Sequence, residues 1–261
     1  MKKIDRTGER FFTCEKLGGY ECVIINYKNY DEVIIQFQDK YKAIVHTQYQ
    51  HCKSGKIVNP YHKSVYGVGY LGQGEYCPYI DRIATKQYTY WKDMLKRCYD
   101  EKYHSKYPAY KDVTANEELF CFQDFAKWFD DNYYEINGEH MCLDKDILFK
   151  GNREYSFGTM IFVPHRINLL FVKNDSDRGD LPIGVSYMKD VDKFRARCSI
   201  LDKDGIKRQK FLGVYSTPEQ AFQAYKKFKE SYIKQVADEY KDKIPEKLYE
   251  ALYKYEVEID D

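Results

Sequence analysis

The spacing of apolar and polar positions changes character along the chain. Between residues 8 and 60 the apolar residues come in short β-branched and aromatic runs: Cys22–Asn26, Val33–Phe37 and Tyr41–Thr47. Such runs suit a pleated, half-buried surface. Gly18-Gly19 and the polar Lys28–Asp31 stretch separate them as turns. Short strands joined by tight turns predict a small β-barrel-like domain over residues 1–60. Residues 61–76, which include Gly67, Gly69, Gly72 and Gly74, are expected to form a linker.

From residue 77 the period becomes helical. Tyr88, Trp91, Leu95 and Cys98 fall on one face of a first helix, and Phe122, Phe125 and Phe129 on one face of a second. Thr114 and Glu117 stand at capping-box spacing slightly upstream of the second helix, and Asn132–Gly138 ends it. Met141–Ile147 then predicts a strand that ends in an acidic cluster. A polar loop with Asn152 leads to a second strand, and a short helix is expected to start at Pro164, proline being favoured in the first helical turn.

The third region, 181–261, is expected to be a three-stranded antiparallel sheet packed on one helix. Ile183–Lys189 is a first strand. Lys193–Ile200 alternates strictly, with Phe194, Ala196, Cys198 and Ile200 on one face and Arg195, Arg197 and Ser199 on the other. Asp204-Gly205 predicts a tight turn into Lys207–Tyr215. Ser216 and Glu219 stand at capping-box spacing, with Pro218 in the first turn of a helix that runs on towards Ala237. Ala221, Ala224, Tyr225 and Phe228 give it an apolar stripe, and a second amphipathic stretch, Glu246–Tyr255, follows Pro245. The expected fold class is therefore α+β: a barrel-like domain (1–60), a linker (61–76), a central helical and ββα-type module (77–175) and a sheet-on-helix domain with an acidic helical extension (181–261).

Charge sharpens this division. The chain of 261 residues has a formal net charge of only +1, yet residues 184–229 hold eleven Lys/Arg against five Asp/Glu, and residues 230–261 hold five against ten. A basic block is followed by an acidic tail, and the basic block can supply phosphate contacts. The eight cysteines form no C-x-x-C pair and have no zinc-finger spacing, which suits free thiols in a reducing cytoplasm. No long apolar run suggests a membrane span.

The acidic segment resembles the HNH nuclease core of phage-type endonucleases. The resemblance implies that Asp144 and Asn168, with Asp146 beside them, would ligate a single Mg²⁺ or Mn²⁺, that Asn152 would orient the loop, and that the catalytic set would be Asp144, Lys145 and Asn152. The chain departs from the family at the decisive place: Lys145 stands where the family has its general-base histidine. A protonated lysine accepts no proton from water unless burial lowers its pKa by several units. His140 and His165 are candidate substitutes by proximity in sequence, and a charged turn is the competing reading of the same residues.

The strings G-V-S-Y-M-K, F-R-A-R-C, K-F-L-G-V-Y and T-P-E-Q-A-F-Q-A-Y resemble the ethylene-response-factor (APETALA-type) DNA-binding domain. This resemblance implies that Ser186, Met188, Arg195, Arg197, Ser199, Gln209 and Phe211 face DNA, with Lys189, Lys207, Arg208 and Lys210 as phosphate contacts. Ser186 and Met188 replace the arginines of the family's first strand. The two resemblances together imply a phage-encoded protein of the host cytoplasm that binds double-stranded DNA on a weakly active or inactive nuclease-like scaffold, without a cofactor. Two alternatives stand beside it: an anti-defence, anti-CRISPR-like protein that binds a host nucleic-acid-processing complex, and an active metal-dependent endonuclease of the homing type.

Overall fold

The computed structural model describes residues 4–172, 181–201 and 206–259, so the Asp204-Gly205 turn lies outside the described residues. The architecture is mixed α+β with several separate sheets, none closed into a barrel. The chain divides into two compact units, Met1–Asp131 with Arg153–Phe157, and Asn132–Asn152 with Gly158–Asp261.

The first unit opens with a four-stranded antiparallel sheet, β1 (Arg10–Phe12), β2 (Glu21–Tyr27), β3 (Val33–Phe37) and β4 (Ile44–Thr47), hydrogen-bonded in chain order. Val33, Ile35 and Phe37 of β3 point inward and are buried; Ile34 and Gln36 alternate with them. The expected barrel is not formed, because β1 and β4 do not pair. The apolar face is closed instead by α1 (Tyr49–Ser54), whose Tyr49 and Cys52 join Cys22, Ile24, Ile35 and Phe37 in one cluster. A helix laid on an open sheet buries the same surface that closure would.

Residues 61–76, expected as a linker, make tertiary contacts. A side chain on Gly69 would come within 2.5 Å of Leu95 and 2.9 Å of Trp91, and Tyr70 bridges to Cys121. A short hairpin follows, β5 (Tyr79–Ile80) and β6 (Ile83–Ala84), and then α2 (Lys86–Tyr99), whose Thr85 cap accepts the Tyr88 N–H. The apolar face of α2 buries Trp91, Met94 and Leu95, and the Trp91 indole N–H donates to the Leu119 carbonyl at 2.7 Å. Next come α3 (Glu101–Lys106) and β7 (Thr114–Ala115). Thr114 is thus a strand residue and no cap. Asn116 accepts the Glu118 N–H at a single 3-10 turn, and α4 (Phe122–Asn132) starts later, burying Phe122, Phe125 and Phe129.

In the second unit β8 (Met141–Asp144) begins a hairpin. The chain then passes into the first unit as β9 (Glu154–Tyr155), which pairs in parallel with β7 there. It returns as β10 (Ile161–Pro164), antiparallel to β8 with Ile161 opposite Asp144 and Pro164 opposite Met141. The short helix α5 (His165–Asn168) follows. Pro164, expected as its first residue, keeps extended torsion angles as the last residue of β10.

The three-stranded sheet is β11 (Val185–Met188), β12 (Lys193–Leu201) and β13 (Lys207–Tyr215), in chain order and antiparallel. One helix, α6 (Pro218–Glu239), backs it; α7 (Glu246–Lys254) follows. Thr217 rather than Ser216 caps α6, accepting the Gln220 N–H. At about 1.5 Å per residue α6 is ~33 Å long, and it serves two cores in turn. Its first half packs Ala221, Phe222 and Tyr225 against Val185, Ala196 and Cys198. Its second half packs Tyr232, Ile233, Val236 and Ala237 against Ile161 and Val163 of the hairpin and Ile167 of α5, with Leu248 and Leu252 of α7.

Candidate nucleic-acid interface and the acidic hairpin

Strand β12 has two faces for a simple reason. Successive side chains of a strand point to opposite sides, and α6 covers one side only. Ala196 and Cys198 are buried beneath the helix, Arg195 is half-buried and Arg197 is exposed on the far side. Gly184 brings the start of β11 onto the helix. It has φ +75°, and a Cβ there would lie 2.1 Å from the Tyr225 ring, so the ring occupies the space a side chain would need. Its carbonyl accepts the Arg197 N–H at 2.8 Å.

Residues directly paired across strands share a face. Ser186 pairs with Arg195 and Met188 with Lys193; Phe211 pairs with Arg197 and Gln209 with Ser199. Ser186, Met188, Arg195, Arg197, Ser199, Gln209 and Phe211 therefore lie on the one surface that α6 leaves open. The Arg195 Nε donates to Ser186 Oγ at 3.3 Å and the Gln209 amide to Ser199 Oγ at 2.7 Å, which ties the polar row together laterally. Phe211 remains 58% exposed within it. Lys207 pairs with Leu201 and belongs to the same surface, and Lys189 is exposed where β11 turns towards β12. Arg208 and Lys210 do not belong to it. They pair with Ile200 and the buried Cys198, so strand alternation places them on the helix side of β13. Lys193 was missed, although it has the same parity as Arg195 and Arg197; strict alternation extended by two residues includes it.

The acidic hairpin gathers four of the expected residues. Asp144 Oδ1 accepts the backbone N–H groups of Asp146 and Ile147 at 2.9 and 2.8 Å. Burial, and then the neighbouring Asp146 charge, push the Asp144 carboxyl up to about 6, against the two backbone hydrogen bonds that favour its charged form. Lys145 is buried, with Nζ 3.4 Å from Asp146 Oδ2. The Asn152 amide donates to the Lys145 carbonyl at 2.8 Å and closes the loop.

The other candidates lie elsewhere on the hairpin. His140 and His165 adjoin the Met141–Pro164 pair, and the His165 N–H donates to the His140 carbonyl at 2.8 Å. Asp144 is four residues from His140, ~13 Å along a strand. Neither histidine therefore replaces a base at position 145, and the expectation that they could is corrected. Asn168 sits half-buried on α5, beyond that same end of β10.

The residues present do not fit a Mg²⁺ or Mn²⁺ centre. The Lys145 ammonium already neutralises one of the two carboxylates. Among the described residues no three His, Cys, Asp or Glu side chains are gathered for a metal ion, and none of the described helices is long and apolar enough to cross a membrane. No protein-family model, curated protein or solved structure matches the chain.

Proposed function

We propose that this protein binds duplex DNA through the open face of β11–β13, with the acidic hairpin serving as scaffold. One observation carries the reading: a cationic and amide-bearing row, Lys193, Arg195, Arg197, Ser199 and Gln209, faces outward in register on a sheet whose reverse side is buried under α6. A sheet presenting such a row can lie in the major groove, where an arginine donates two hydrogen bonds to guanine O6 and N7. Each such pair discriminates against the wrong base by ~1–3 kcal/mol. The resemblance to ethylene-response-factor domains supports the same surface. Lys189 and Lys207 then act as phosphate contacts. The Lys145–Asp146 pair argues against hydrolysis by the hairpin, since it offers neither a free base nor an open metal position.

The test is fluorescence anisotropy of a labelled mixed-sequence duplex titrated with the full chain at several salt concentrations. Binding is expected to weaken steeply with salt, and Arg195→Ala/Arg197→Ala to lose at least ~10-fold in affinity and to flatten the salt slope by about one per phosphate contact removed. Unchanged affinity in the double variant, or no duplex binding by the parent chain, overturns the proposal.

A further inference from the structure

The turn between β3 and β4 and the loop after Ile57 build an aromatic platform on the first unit. The Tyr41 and Tyr61 rings lie face to face, 4.1 Å apart and within 4° of parallel. Tyr70 backs the pair through tilted contacts at 6.3 and 5.7 Å. Since Tyr61 covers one face of Tyr41, Lys40 Nζ, 4.8 Å from the ring centre, covers the other. Tyr41 nevertheless stays 41% exposed. The pair is held in place by the buried Asn59. Its amide donates to Asp39 Oδ2 at 2.8 Å, and its carbonyl oxygen accepts the Tyr61 N–H at 2.9 Å. Asp39 Oδ1 in turn accepts the N–H groups of Tyr41 and Lys42 at 3.1 and 3.2 Å. One buried side chain thus ties together the two segments that carry the rings, so the stack is ordered before any ligand arrives.

Charge says what this platform fits. Residues 38–64 hold five lysines, Lys40, Lys42, Lys53, Lys56 and Lys63, all exposed, against one acidic residue, Asp39. Asp39 is engaged in the hydrogen bonds of the turn. Lys63 stands 6.0 Å from the Phe120 ring, and the Phe120 carbonyl accepts the Tyr70 N–H, which places this lysine beside the tyrosines. A flat ring can slide over Tyr41 when Lys40 swings aside, and the freed ammonium then meets a negative group attached to that ring. Bases on a phosphate chain supply both features. A duplex keeps its bases stacked on one another and offers no ring face to a surface tyrosine, whereas a single strand does.

We propose that the Tyr41–Tyr61 stack binds single-stranded nucleic acid. One base stacks on the outer face of Tyr41, and Lys40 and Lys63 take the flanking phosphates. Every base has a π-face, so stacking of this kind tolerates any sequence. The site belongs to the first unit, the β11–β13 face to the second, and the proposal does not depend on duplex binding by that face.

The experiment is fluorescence anisotropy of short labelled oligo-dT and oligo-rU strands, titrated with the full chain carrying Arg195→Ala/Arg197→Ala. That background removes the arginines of the proposed duplex interface, so failure of one reading is distinguishable from failure of the other. Both strands are expected to bind, and the tighter of the two identifies the preferred sugar. Adding Tyr41→Ala should weaken binding at least ~5-fold, while Tyr41→Phe and Tyr41→Trp, which keep a ring, should retain it. Lys40→Ala/Lys63→Ala should flatten the salt dependence by about 0.7 per phosphate contact removed. Tyr30, between β2 and β3, is 49% exposed, and Tyr30→Ala should change nothing. Circular dichroism establishes that each variant folds. Absence of single-strand binding, full affinity in Tyr41→Ala, or an equal loss in Tyr30→Ala overturns the proposal.

Discussion

Replacing Gly184 by alanine tests how the outward row is held. Gly184 has φ +75°, where a residue with a Cβ is strained by about 1–2 kcal/mol. The new methyl would also lie 2.1 Å from the Tyr225 ring, well inside contact distance. Tyr225 is buried between α6 and the sheet, so the ring cannot swing into solvent without opening that cluster. Overpacking of this kind costs about 1–3 kcal/mol. The expected total is ~2–5 kcal/mol. It should be read by urea unfolding with far-ultraviolet circular dichroism. The only two tryptophans, Trp91 and Trp128, belong to the first unit, so their fluorescence follows that unit separately. A loss below ~0.5 kcal/mol in Gly184→Ala would refute the claim that the glycine–tyrosine contact seats β11 on the helix.

Two further substitutions probe buried charge. Asp144 is raised to about 6 by burial and by Asp146. The folded chain therefore holds a proton that the unfolded chain releases, and stability falls as pH rises from about 4 to 6. Asp144→Asn should gain up to ~3 kcal/mol at pH 7 and nothing below pH 4; midpoints of urea unfolding that move in parallel at both pH values would contradict this. Lys229 is buried on α6 and held below the usual lysine range by desolvation, with Cys198 acting in the opposite sense. Its charge opposes folding below the folded pKa, and stability recovers as pH rises from there towards 10.5. Lys229→Met should therefore stabilise the protein at pH 7 by roughly 1 kcal/mol or more. The gain should shrink by pH 10, and an unchanged or lower midpoint at pH 7 would count against it.

The legible parts of this fold were those with strict local period. The two faces of β12 follow from alternation over eight residues, and α2, α4 and α6 follow from apolar stripes. What failed depended on distant partners. Nothing local in residues 8–60 says whether a sheet closes on itself or is covered by α1. Gly69 reads as flexibility in a glycine-rich run, but it is glycine because Trp91 and Leu95 press on it. Glu154 and Tyr155 sit in a loop by pattern, yet they pair with β7 forty residues earlier. In the candidate site, the Asp144–Asn152 cluster was visible as a run of polar residues around one turn. The separation of His165 from it required the register of β8 on β10, which sequence spacing does not specify.

The central claim is that one face of the sheet, and not its overall charge, meets DNA. Arg197→Glu and Lys210→Glu change the net charge equally, on neighbouring strands, but on opposite faces. Duplex affinity should fall more than ~10-fold for Arg197→Glu and only slightly for Lys210→Glu. Equal losses from the two substitutions would contradict the account.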